Sequence, residues 1–172
     1  CANHQAPGVD PRDRSPAQMT DLPTVSLALD NQLCFKLYAA SRAVTRAYKP
    51  MLDQLGLTYP QYVVMLVLWE WHHATPPQPT VKALGERLML DSGTLTPLLK
   101  RLEQLGLVRR QRSAQDEREV HLSLSHAGVQ LRGQAHQLKT RLLCDSGVDL
   151  NQADALREGL DQLLAQIRDL SS

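Results

Sequence analysis

Three side chains in this sequence carry thiol chemistry: Cys1, Cys34 and Cys144. Zinc sites need ligands paired at short spacing, and these cysteines are widely separated, with no CxxC. His72 and His73 adjoin each other without a second ligand at metal spacing, and read as a solvated helix end. No metal and no cofactor are expected. Redox chemistry at sulfur remains. A cysteine in an apolar helix is most often an inert core residue. Cys34 differs because it falls about one turn inside a helix beginning near Asp30, where the helix dipole favours thiolate. The phenols of Tyr48 and Tyr59 can donate hydrogen bonds to a sulfur and favour its charged form further.

A second chemistry lies in the charge pattern. The chain holds 19 Lys and Arg against 18 Asp and Glu, so net charge alone says nothing about nucleic acid. Between Lys100 and Arg118, however, six basic residues (Lys100, Arg101, Arg109, Arg110, Arg112, Arg118) face three acidic ones (Glu103, Asp116, Glu117). Such a local stripe fits a nucleic-acid footprint.

The elements that must position these groups can be read from caps and periodicity. Asp30 predicts an N-cap for a first helix running to about Tyr48, where Pro50 stops it. Leu33, Leu37, Ala40 and Val44 form its apolar face. Gly56 breaks the chain, and Thr58 with Gln61 makes a capping box for an apolar helix to about His73. Thr80 caps a short helix, Val81 to Leu88. Asp91-Ser92-Gly93-Thr94 opens another, ending at Gly106. Pro97 fits either a cap at Asp91, which bends the helix, or a cap at Thr96, which puts it at the first position. Two strands follow, Leu107 to Gln111 and Glu119 to Leu124. Ser125 caps a long helix to about Ser146. Asp149 or Asn151 starts a last one with the stripe Leu156, Leu160, Leu163, Ile167 and Leu170.

A short helix, a second helix opening on Ser and Thr, and a charged hairpin make a winged helix-turn-helix in a mainly α fold with a small β wing. Its natural partner is double-stranded DNA. Ser92, Thr94 and Thr96 offer hydroxyls at the exposed start of the second helix, and Lys100, Arg101 and Arg112 extend the contact. Arg118 on the hairpin suits a narrow minor groove, with Asp116 holding its guanidinium in one orientation.

The run Asp91-Ser92-Gly93-Thr94-Leu95-Thr96-Pro97-Leu98-Leu99-Lys100-Arg101-Leu102-Glu103, then Gly106-Leu107-Val108, resembles the recognition-helix signature of the MarR family. Asp116-Glu117-Arg118 and Leu122-Ser123-Leu124-Ser125 resemble its wing. Leu33-Cys34-Phe35-Lys36-Leu37-Tyr38, Tyr48 and Leu57-Thr58-Tyr59-Pro60-Gln61-Tyr62 are similar to its organic-hydroperoxide-sensing repressors, the OhrR group. The resemblance covers about residues 29–146. It implies a homodimer interlocked through its first and last helices (29–57 and 125–170), with residues 80–124 binding an operator. It assigns the peroxide-reactive role to Cys34 and the hydrogen-bonding role to Tyr48 and Tyr59, with Tyr38 near the site. Phe35, Leu37, Met51 and Met65 would then supply an apolar surround favouring an organic hydroperoxide. Cys144 makes the chain similar to two-cysteine members, in which the resolving cysteine comes from the other subunit.

Two other functions compete. One is a MarR-type regulator answering a phenolic ligand, against which Cys34 with Tyr48 and Tyr59 argue. The other is a thiol peroxidase, which would leave the winged motif without a purpose; the chain is therefore not expected to be an enzyme.

Composition sets the outer bounds. With 42% hydrophobic and 22% charged residues, the chain is neither a disordered tail nor a disulfide miniprotein. Its longest apolar run, Val63 to Trp69, is far short of the roughly 20 residues of a membrane span. Without a signal peptide the expected compartment is the cytoplasm, where thiols stay reduced. Residues 1–18, with four prolines or glycines and no apolar period, are expected to be a disordered leader or added tail ahead of a domain at 19–172.

Overall fold

The computed structural model describes residues 26–74, 79–114, 116 and 118–170, so the expected leader and Cys1 lie outside the described residues. Two compact units divide the chain, residues 1–40 and 41–172.

In the first unit a 3-10 turn, Leu29–Asn31, leads into the helix α1, Leu33–Leu55, whose residues from Ser41 on belong to the second. Asp30 is not its cap. It lies within the turn and pairs with Lys36 at 3.8 Å, while the Gln32 side chain donates back to the Ser26 and Ala28 carbonyls. The helix therefore begins later than the sequence suggests. It also ends later. Pro50 sits inside it, because one missing N–H bond costs less than exposing the next turn: Met51, Leu52 and Leu55 are all buried. Gly56, at φ +66°, ends α1, with the Leu57 N–H closing on the Leu52 carbonyl.

The core of the second unit surrounds α2, Tyr59–Ala74, which is buried on most of its circumference. Its start keeps the glutamine half of the capping box: the Thr58 N–H donates to Gln61 Oε1 at 2.9 Å. Then come α3, Val81–Leu88, capped by Thr80, and α4, Ser92–Gln104, capped by Asp91. Pro97 thus lies inside α4. Leu84, Leu95, Leu99 and Leu102 lock these helices together. The strands β1, Val108–Arg112, and β2, Val120–Leu124, form an antiparallel hairpin with Arg110 opposite Leu122. It is tied to the start of α3: the Leu122 N–H donates to the Pro79 carbonyl at 2.7 Å, and Thr80 bridges His121.

Ser125 caps α5, His126–Ser146. Its hydroxyl accepts from Gly128 N–H and donates to the Gly106 carbonyl. Gly128 packs directly on Leu107, and its carbonyl accepts from Trp69 Nε1 at 2.8 Å. α6, Leu150–Leu170, starts at Asp149, whose carboxylate accepts from the Asn151 N–H. Along it Leu156 and Ile167 are exposed, and Leu160 and Leu163 half-buried. No helix of the described residues is long and apolar enough to cross a membrane.

Candidate nucleic-acid interface and sensing residues

The start of α4 is built by one carboxylate. Asp91 Oδ1 accepts from the Thr94 N–H at 2.8 Å and Oδ2 from the Thr94 hydroxyl at 2.9 Å. These bonds, the backbone one foremost, hold the Asp91 carboxyl below its usual range. Thr96 donates its hydroxyl proton to the Ser92 carbonyl at 2.7 Å. Both threonines therefore spend their protons inside the helix and present oxygen lone pairs outward. Ser92, Gly93, Thr94, Thr96, Lys100 and Arg101 are all exposed, so this end of α4 is open to a ligand as the sequence suggests.

The hairpin departs from expectation in two ways. Asp116 accepts from the backbone N–H of Arg118 at 2.9 Å rather than orienting its guanidinium. A side chain two residues back reaches that N–H at little entropic cost, as in an Asx turn. The Glu119 N–H closes the loop on the Asp116 carbonyl at 2.9 Å. Secondly, Arg110 is not part of an outward basic stripe. Its Nε and Nη2 both donate to Glu103 Oε2, at 2.9 and 2.5 Å, and hold the Glu103 carboxyl below its usual range. Arg109, Arg112 and Arg118 remain exposed on the wing. A cleft of about 640 Å³ separates wing from helices, with Ser92, Thr96 and Arg118 on its rim and Leu95 in its wall.

The sensing candidates fall in both units. In the first, Cys34 is the second residue of α1 and is exposed. Tyr38, four residues on and so on the same helix face, is 58% exposed. In the second, Tyr48 and Tyr59 meet edge-to-face with ring centroids 5.7 Å apart. A third phenol, given no role of its own from the sequence, is Tyr62, whose ring lies tilted 6.1 Å from that of Tyr48 and edge-on 6.3 Å from that of Trp69. Its three-residue spacing from Tyr59 was the available signal. Burial, then the neighbouring phenols, push the Tyr62 hydroxyl up to about 12, and burial raises that of Tyr48. Tyr48 and Tyr62 therefore keep their protons throughout the physiological range. Met51 and Met65 are core residues of the second unit, Met65 with no exposed surface. Cys144 lies exposed in the last turn of α5. His72 and His73 are exposed at the end of α2, as expected, and Arg132 Nη1 donates to His73 Nε2 at 2.5 Å.

Residues 46–132 match the family described as transcriptional regulator SarA/Rot. The chain is 53% identical over 129 residues to an organic hydroperoxide resistance transcriptional regulator of Bacillus subtilis, covering 73% of this chain and 84% of that protein. Among solved structures it is similar to AbfR of Staphylococcus epidermidis. Reduced AbfR bound to DNA shares 37% identity at a TM-score of 0.69, covering 81% of this chain and 94% of AbfR. Disulfide-formed AbfR shares 36% identity at 0.56, covering 83% and 91%.

Proposed function

The chain belongs to the MarR-type winged-helix transcriptional regulators, and on that premise we propose that it is a repressor that leaves its operator when an organic hydroperoxide oxidises Cys34. The observation that carries this reading is an exposed thiol in the first turn of α1, on a chain that shares 53% identity with an organic hydroperoxide resistance regulator. The helix dipole favours its thiolate. That thiolate attacks the terminal peroxide oxygen, the O–O bond breaks, an alcohol leaves, and Cys34 becomes a sulfenic acid. The Tyr48 and Tyr59 hydroxyls donate hydrogen bonds to the sulfur, with Tyr38 beside it. Cys144 of the second subunit then condenses with the sulfenic acid, releasing water and forming a disulfide. The exposed leucines of α6 support a dimer through residues 29–57 and 125–170, with one hydrophobic face needing a partner. The cytoplasm, where thiols are kept reduced, is its place of work.

Residues 80–124 read the DNA. Backbone N–H groups at the start of α4, with Ser92, Thr94 and Thr96, meet phosphates and base edges, and Lys100, Arg101 and Arg112 add charge. Asp116 shapes the loop that presents Arg118 to the minor groove. The direct test is a gel shift on DNA selected from random sequence by the reduced protein. One equivalent of cumene hydroperoxide is expected to release it; retention of the complex overturns the reading.

Two substitutions probe the parts. Arg118→Ala is expected to weaken operator binding by about 1–3 kcal/mol while leaving the melting temperature unchanged. Equal affinity at moderate salt would show that the wing stays off the DNA. In a chain starting at Met19, which removes Cys1, peroxide is expected to give a covalent dimer on non-reducing gels, reversed by dithiothreitol. Cys144→Ser should lose that band and still be labelled by dimedone, the sulfenic-acid reagent. A truncated wild-type protein that stays monomeric on the gel would leave Cys34 to act without Cys144.

A further inference from the structure

Met89 occupies the turn between α3 and α4 with φ +54°, and among the described residues no other non-glycine has a positive φ. Glycine takes this left-handed backbone freely, whereas a Cβ strains it. The turn demands the conformation, since the Met89 and Leu90 N–H groups close back on the Glu86 and Gly85 carbonyls. A methionine here brings what glycine cannot: a polarisable sulfur. That side chain is 56% exposed, whereas Met51 and Met65 are buried. Its sulfur is also engaged, accepting from Arg168 Nη2 of α6 at 3.0 Å. The cap of the recognition helix, Asp91, is two residues away.

We propose that Met89 is a second oxidation site, converted to the sulfoxide by organic hydroperoxide at doses beyond those that consume the thiols. The oxidant class rests on the function proposed above; the site does not. A sulfur lone pair attacks the terminal peroxide oxygen, the O–O bond breaks and an S=O bond forms. The departing alkoxide takes the peroxide proton and leaves as an alcohol. Sulfur loses two electrons and the peroxide gains them. A thioether is a weak hydrogen-bond acceptor, and the sulfoxide oxygen is a strong one. The Arg168 guanidinium then binds oxygen instead of sulfur, so the link between α6 and the turn lengthens by one atom. The cap of α4 moves with the turn, and operator affinity falls until methionine sulfoxide reductases remove the oxygen.

The test uses the full chain with Cys1, Cys34 and Cys144 replaced by serine, treated with excess cumene hydroperoxide. Peptide mass spectrometry is expected to find Met89 oxidised about tenfold faster than buried Met51 and Met65. Operator affinity should fall about tenfold and recover with methionine sulfoxide reductases A and B. Met89→Leu, and Met89→Gly as a variant free of backbone strain, should bind operator and keep it under the same treatment. Arg168→Ala should oxidise at Met89 with a smaller loss of affinity. Oxidation of Met89 no faster than that of Met51, unchanged affinity of the sulfoxide, or equal loss in Met89→Leu overturns the proposal. Each is distinct from failure of Cys34 sensing, which is read in the thiol-containing protein at one equivalent of peroxide.

Discussion

Cys34→Ser is expected to bind operator within about twofold of the parent, as exposed substitutions usually do, and to stay bound after one equivalent of organic hydroperoxide. The hydroxyl replaces the thiol with little change of volume at an exposed position in the first turn of α1. Serine neither ionises in the physiological range nor forms a sulfenic acid, so the first oxidation step is removed. The difference between the two proteins should therefore be all or none at stoichiometric dose. The check is a gel shift against peroxide equivalents, with dimedone labelling on the same samples. Release of the variant at one equivalent would move the sensing role to another residue. Loss of DNA binding before any peroxide would instead give the thiol a structural role.

Gly128→Ala carries the largest expected effect on stability. A Cβ at this position would stand 2.2 Å from the Leu107 carbonyl oxygen and 3.1 Å from its carbon. Both are backbone atoms, so no side chain can rotate away to relieve the overlap. Separating α5 from β1 would also strain the Trp69–Gly128 and Ser125–Gly128 hydrogen bonds. The expected cost is about 3 kcal/mol or more, which lowers the melting temperature by about 6–12 °C. Gly133, in the same helix, has nothing within 4 Å of its would-be Cβ. Gly133→Ala is the control, expected to be neutral or stabilising by about 0.5–1 kcal/mol. Thermal unfolding of both variants checks the contrast, and a fall below about 2 °C for Gly128→Ala would mean that α5 moves aside cheaply.

Local signals carried most of the fold. Thr80, Asp91 and Ser125 cap the helices that follow them, and Gly56, Gly106 and Gly147 end segments with positive φ, because caps are decided within a few residues. Pro50 misled for the opposite reason. Its cost is local, but burial of Met51, Leu52 and Leu55 against distant elements outweighs it. The choice over Pro97 turned on Asp91, whose two oxygens both engage Thr94. The exposure of Ser92, Thr94, Thr96, Lys100 and Arg101 along α4 was legible because it follows from the cap. What Arg110 and Asp116 bind was not, since an arginine in a basic run gives no sign of a carboxylate seven residues upstream across a turn. Tyr62 was quoted in the motif with Tyr59 and given no role of its own, since the motif does not say which rings meet Tyr48.

The pairing of Arg110 with Glu103 has a mechanical consequence. It rivets β1 to α4, while the Leu122–Pro79 bond and the Thr80–His121 bridge fasten β2 to the start of α3. Helix and wing are therefore fastened as one lever. A signal arriving from elsewhere in the chain has little to gain by prying the two apart. Under the function proposed above it gains most by turning the whole lever about its attachment to the start of α5, where Ser125 and Gly128 hold Gly106 and Leu107. In a dimer the quantity such a turn changes is the stride between two levers, which the operator must match one helical turn apart.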